Sequence, residues 1–154
     1  MKRLGYWEKS MRFKMNAQID IKCYYAQTTV TVSASHRLRL DYESPCQRLH
    51  GHNWKITLRC CAPKLNNNGM VADFALLKKF VKDLLDHQDL TDNLPQTLNP
   101  TAENIAEFLL IKINGNREII GPYATCFRID VEETEGNIAS VEINKRLNID
   151  EGRE

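Results

Sequence analysis

Apolar residues recur at every second position in two stretches at the start and two at the end of the chain, and at every third or fourth position in two stretches between them. A strand and a helix expose such patterns on different faces, so the order of periods restricts the fold more than any other feature. Thr28, Val30, Val32, Ala34 and His36 share one strand face, with Thr29, Thr31, Ser33 and Ser35 on the other. A second strand begins near His50, where His50, His52, Trp54, Ile56 and Leu58 oppose Asn53, Lys55, Thr57 and Arg59. After a turn signal at Asn66–Gly69, Asp73 can cap a helix carrying Phe74, Leu77, Val81, Leu84 and Leu85 and ending near Asp86. Beyond Pro95 and Pro100, Thr101 can cap a second helix with Ile105, Phe108, Leu109 and Ile113 as its apolar stripe, stopped by Gly115. Period two then returns, with Phe127, Ile129, Val131 and Glu133 on one face, a turn at Glu135–Asn137, and Ala139, Val141 and Ile143. The order is ββααββ, an α+β class in which one antiparallel sheet carries both helices on one face.

The chain of 154 residues suits one domain, read here as 23–148, with an N-terminal extension at 1–22 that shows no period and reads as poorly ordered, and a tail at 149–154. Lys and Arg number 21 against 20 Asp and Glu, so no global field draws the chain to nucleic acid or an anionic membrane, and a small-molecule or protein partner is expected. No stretch approaches the roughly 20 apolar residues of a membrane span, and the N-terminal residues lack the apolar core of a signal peptide. A cytoplasmic location is the expectation. Five cysteines make an odd set that does not suit a disulfide framework, and Cys23, Cys60, Cys61 and Cys126 read as packing residues.

Three of the four histidines fall on matching apolar strand faces: His36 on the first strand and the His50-Gly51-His52 pair on the second. Three neutral imidazoles suit Zn²⁺ and leave a fourth tetrahedral position open, the pattern of a catalytic zinc site. Gly51 is compatible with a bulge or a close approach. Cys46, four residues before His50 and near Arg48, is a candidate fourth ligand or a thiolate beside the metal. Asp86 and His87 close the first helix, where the dipole favours a cation and a carboxylate beside an imidazole suits general acid/base work. Glu133 is a carboxylate on an apolar face, and an amidine-like edge with two N–H donors, as in guanine or a pterin, would satisfy both its oxygens.

Ser33–Leu38 (SASHRL), Cys46–Asn53 (CQRLHGHN), Gly69–Lys78 (GMVADFALLK), Leu85–Leu90 (LDHQDL), Pro100–Asn104 (PTAEN) and Val131–Asn137 (VEETEGN) together resemble the 6-pyruvoyltetrahydropterin synthase and 6-carboxytetrahydropterin synthase family. The resemblance runs from about Ala26 to Arg146. It implies the tunnelling fold, a ββααββ subunit that trimerises into a barrel, two of which stack as a homohexamer. It also implies zinc on His36, His50 and His52, Cys46 as catalytic thiolate, Asp86 and His87 as a proton relay and Glu133 as the pterin anchor, with Thr101 and Thr134 near the pterin pocket. Lys55 and Arg48 are candidates for the triphosphate.

The implied substrate is 7,8-dihydroneopterin triphosphate. Three residues separate Cys46 from His50, as in the branch that makes 6-carboxy-5,6,7,8-tetrahydropterin and releases acetaldehyde on the path to queuosine; animal enzymes that stop at the pyruvoyl product have a longer interval. Relatives that divert the substrate toward folate carry Glu where this chain has Gln47. The 6-carboxytetrahydropterin synthase activity is therefore expected, with the pyruvoyl-forming reaction as the alternative. From another class, a noncatalytic zinc-binding module would close its site as Cys46 with the three histidines.

Overall fold

The computed structural model describes residues 23–143; the extension at 1–22, the last residues of the expected domain and the tail at 149–154 lie outside the described residues. Four strands, β1 (Tyr24–His36), β2 (His50–Ala62), β3 (Thr125–Thr134) and β4 (Asn137–Glu142), form one antiparallel sheet in chain order. β1 begins at Tyr24, earlier than the alternation from Thr28 indicates. Four helices lie between β2 and β3: α1 (Phe74–Leu85), α2 (Leu90–Asn93), α3 (Ala102–Asn114) and α4 (Arg117–Ile120). The two long ones are those expected; α2 and α4 are single turns within the connections. A further 3₁₀ turn spans Pro45–Gln47.

Local chemistry accounts for the helix limits. The Asp73 carboxylate accepts the N–H groups of Ala75 and Leu76, Thr101 accepts that of Asn104, and Gly115 ends α3. α1 packs on β1 and α3 on β3 and β4. The core fills the space between, with Val32, Trp54, Ile56 and Leu58 from the sheet against Leu77, Leu85, Ile105 and Leu109 from the helices.

Two faces differ from the periodic reading. Pairing shifts by one residue between Arg59 and Cys60, so Arg59 faces Arg128 while Cys60 faces Cys126. A bulge reverses the side-chain alternation. Cys126 is therefore fully buried, and Phe127, expected beside Ile129, instead meets Tyr25 edge-on with ring centres 5.9 Å apart. Phe74, expected in the apolar stripe, is the first residue of α1 and is 45% exposed, while Leu77, Val81 and Leu85 carry the buried face.

The sheet face away from the core is polar. The Asp130 carboxylate accepts from Arg59, from Arg128 Nε at 2.8 Å and from Ser140 Oγ at 2.6 Å. Burial alone would raise its pKa, but these donors outweigh it and hold the carboxyl down at about 2. A folded-state pKa below the unfolded value, near 3.9, adds stability that is full above the unfolded pKa and is lost as pH falls through the folded one. Asp130→Asn is thus expected to flatten the loss of stability between about pH 4 and pH 2, read by urea titrations across that range. An unchanged acid limb would remove Asp130 from the acid response.

Candidate functional site

The register of β1 and β2 sets His36 opposite His50 and Ala34 opposite His52. All three imidazoles leave the sheet on the face that buries Val32 and Trp54, and Trp54 forms the floor, its ring edge-on to His36 and His52 at 4.9 and 5.3 Å. Their candidate ligand atoms lie within 4.8 Å of one another. The register continues through Gly51 without a shift, and a Cβ there would meet Ala34 O at an ordinary 3.7 Å. Neither a bulge nor a close approach therefore requires this glycine.

Hydrogen bonds decide the ring chemistry. His36 Nδ1 lies 2.8 Å from Pro100 O, and His50 Nδ1 lies 2.7 Å from Arg48 O. A carbonyl can only accept, so both Nδ1 atoms carry the proton and both Nε2 atoms of the neutral rings present lone pairs. Burial, the largest influence on fully buried His36, pushes its pKa below the ordinary imidazole value and keeps the ring neutral. Yet His36 Nε2 lies 3.1 Å from His50 Nε2 and 3.3 Å from Glu133 Oε1, while His52 Nε2 is buried with no hydrogen-bond partner. Electron-rich atoms facing one another, with the Nδ1 protons of His36 and His50 fixed by carbonyls, form a donor set that fits a divalent cation. Cys46 is not part of this three-histidine group.

Glu133 lies at the second register shift of the sheet, between Glu132 and Thr134. Its carboxylate borders the histidines and also lines a cleft with Leu38, Thr101, Ala102 and Asn137. Thr101 spends its hydroxyl on the cap of α3, and Thr134 accepts from Asn137 Nδ2 at 2.6 Å in the β3–β4 turn. Lys55 lies on the opposite, polar face of the sheet, paired with Glu132 at 3.1 Å.

Asp86 and His87 reach the site by a device that periodicity does not reveal. Asp86 ends α1 in extended conformation, and His87 takes φ 57°, a left-handed turn usually left to glycine at a helix end. That turn lays residues 86–89 along the edge of β1: Ser33 N donates to Asp86 Oδ1 at 2.8 Å, His87 N to Ser33 O at 2.7 Å and Ser35 N to Gln88 O at 3.0 Å. The Asp86 carboxylate is thus engaged by the Ser33 amide rather than by the His87 ring. His87 and His52 line one open cleft of about 460 Å³ with Ser33, Asn53, Gln88 and Asp89. Among the site residues, Pro100, Ser33 and Trp54 were not expected from the sequence, since two of them act through main-chain atoms and the third reads as core.

A family model described as 6-pyruvoyl tetrahydropterin synthase matches residues 25–144. The 6-carboxy-5,6,7,8-tetrahydropterin synthase of Bacillus subtilis is 27% identical over 109 residues, spanning 67% of this chain and 74% of its own length. Human 6-pyruvoyl tetrahydrobiopterin synthase is 29% identical over 126 residues, 71% of this chain and 84% of the human one. The solved structure of Caenorhabditis elegans 6-pyruvoyl tetrahydropterin synthase superposes with a TM-score of 0.64 at 25% identity, covering 82% of this chain and 100% of that one. With the match extending over nearly every described residue, and with the tunnelling-fold arrangement of sheet and helices beneath it, the chain belongs to the 6-pyruvoyl tetrahydropterin synthase family.

Proposed function

We propose that the chain is a zinc-dependent lyase that converts 7,8-dihydroneopterin triphosphate and one water into 6-carboxy-5,6,7,8-tetrahydropterin, releasing acetaldehyde and triphosphate, within 7-deazaguanine (queuosine) biosynthesis. The observation that carries the reading is the convergence of His36, His50 and His52, with the tautomers of His36 and His50 set by carbonyls and His52 Nε2 buried without a hydrogen-bond partner. His36, His50 and His52 would hold the zinc, which when bound supplies Lewis acidity toward the substrate's side-chain oxygens and so acidifies the neighbouring C–H. Cys46 takes that proton as a thiolate. His87, at the mouth of the cleft it shares with His52, returns a proton to the ring, and Asp86 fixes the segment that carries it. Glu133 accepts the pterin's amidine edge in the cleft it shares with Thr101, with Thr134 in the adjoining turn. Arg48 remains a candidate for the triphosphate; the paired Lys55, on the far face, is a weaker one within a single subunit.

The choice of branch rests on the short interval before His50. Cys46 sits in the 3₁₀ turn, and two residues later the Arg48 carbonyl orients His50, so the short interval ties the turn to a donor histidine. The B. subtilis relative bears the name of the carboxy-forming enzyme, and the human relative that of the pyruvoyl-forming one. The proposal includes a homohexamer built as a dimer of trimers and a cytoplasmic location; among the described residues no helix is long and apolar enough to cross a membrane.

Incubation of zinc-loaded protein with dihydroneopterin triphosphate is expected to yield carboxylated pterin and trapped acetaldehyde in equal amounts by mass spectrometry. Pyruvoyl product without acetaldehyde would move the assignment to the other branch. Zinc binding without turnover would leave the noncatalytic module, a reading that the absence of Cys46 from the donor group already disfavours.

A further inference from the structure

We infer that Gln47 is a positioning residue that sets the place of the Cys46 thiol relative to the histidine cluster; this rests on the proposed role of Cys46. The turn carrying Cys46 stands between exposed residues and needs an anchor of its own. Within the turn, Cys46 N donates to Ser44 Oγ at 3.2 Å, and Gln47 Oε1 reaches back to accept Ser44 N at 3.2 Å, a reciprocal cap with Pro45 at its first position. The other end of the same amide leaves the turn: Gln47 Nε2 donates to Leu40 O at 3.1 Å. The main chain adds one parallel tie, Leu38 N to Cys46 O at 2.8 Å.

Residues 38–40 continue directly from His36, so both ties measure the turn against the strand end that bears a donor histidine. Gln47 is exposed, and no burial penalty obliges it to use both ends of its amide. Its geometry nevertheless joins the inside of the turn to the run that follows His36. The position demands an acceptor and a donor at once, which an ionised glutamate cannot provide and an alanine lacks altogether. Arg37, Arg39, Asp41, Glu43 and Arg48 border the clefts around it, and none of their side chains bonds to Gln47.

Gln47→Ala and Gln47→Glu in the zinc-loaded full chain test this. A turn freed by a fraction of an ångström is expected to lower kcat about 10- to 100-fold, with KM within about twofold, since positioned proton transfer loses about 10²-fold per ångström of misplacement. Alkylation of Cys46 by iodoacetamide at neutral pH, followed by peptide mass spectrometry, is expected to become at least about threefold faster as the turn opens. Zinc stoichiometry and the circular dichroism spectrum should match the parent. Unchanged kcat, an unchanged alkylation rate, or loss of zinc from the variants would each overturn the assignment. If the parent chain fails to turn over dihydroneopterin triphosphate, the functional reading fails on that result, and the alkylation comparison still decides whether Gln47 holds the turn.

Discussion

Cys46→Ala is expected to lower turnover about 10²–10⁴-fold while fold and zinc content stay as they were, the range for loss of a positioned general base. The structure makes this a clean substitution. Both bonds that tie residue 46 to its surroundings use main-chain atoms, its N–H to Ser44 Oγ and its carbonyl to Leu38 N–H, so alanine keeps them. The thiol is only partly buried, so its loss opens no core cavity. At residue 87 the parallel experiment is His87→Asn rather than alanine, because φ 57° is a conformation asparagine adopts readily and alanine does not. A similar drop is expected there, with the bond to Ser33 O retained. If Cys46→Ala strips the zinc from a parent chain that shows no turnover, the closed four-ligand module replaces the enzyme reading; intact turnover in His87→Asn would remove His87 from the proton transfer.

Removal of the metal is expected to abolish activity, with recovery on adding zinc, and His52→Ala is expected to make that loss permanent. His52 separates metal binding from folding better than its neighbours do. His36 is fully buried and satisfies Pro100 O, so its deletion strands a buried carbonyl at a cost of about 1–3 kcal/mol. His52 Nε2 has no hydrogen-bond partner to lose. Thermal melts of the parent should rise with added zinc, by about 2.7 kcal/mol of stabilisation at a hundredfold excess over Kd, and those of His52→Ala should not. Parent protein that is fully active after elemental analysis finds no zinc would refute the zinc mechanism.

Period two was sufficient to bring His36, His50 and His52 to one face, because β1 and β2 pair without a shift along their whole length. The same rule misplaced Phe127, because the bulge at Arg59–Cys60 depends on how two strands meet and leaves no mark on either one alone. Glu133 faces the site as its spacing indicates, its Oε1 3.3 Å from His36 Nε2, and the second register shift beside it is again a property of two strands together. The carbonyls of Pro100 and Arg48 orient the rings through atoms every residue possesses, which no residue pattern distinguishes. Ser44-x-x-Gln47 is legible as a capping box, whereas the bond from Gln47 to Leu40 requires the fold.

β1 is an outer strand, and its main chain alternately faces β2 and the open side of the sheet. Near the site that open side is already taken, since Ser33 and Ser35 spend their groups on residues 86–88. Along this edge, a strand arriving from a second copy of the chain finds, among the described residues of β1 before Ser33, the outward groups of Tyr25, Gln27, Thr29 and Thr31 to pair with. The segment bearing Asp86 and His87 is thus an end-stop that forbids sliding along the edge. In the proposed homohexamer, a change that loosened it would let the seam between copies slip by two residues, misaligning every copy of the ring together.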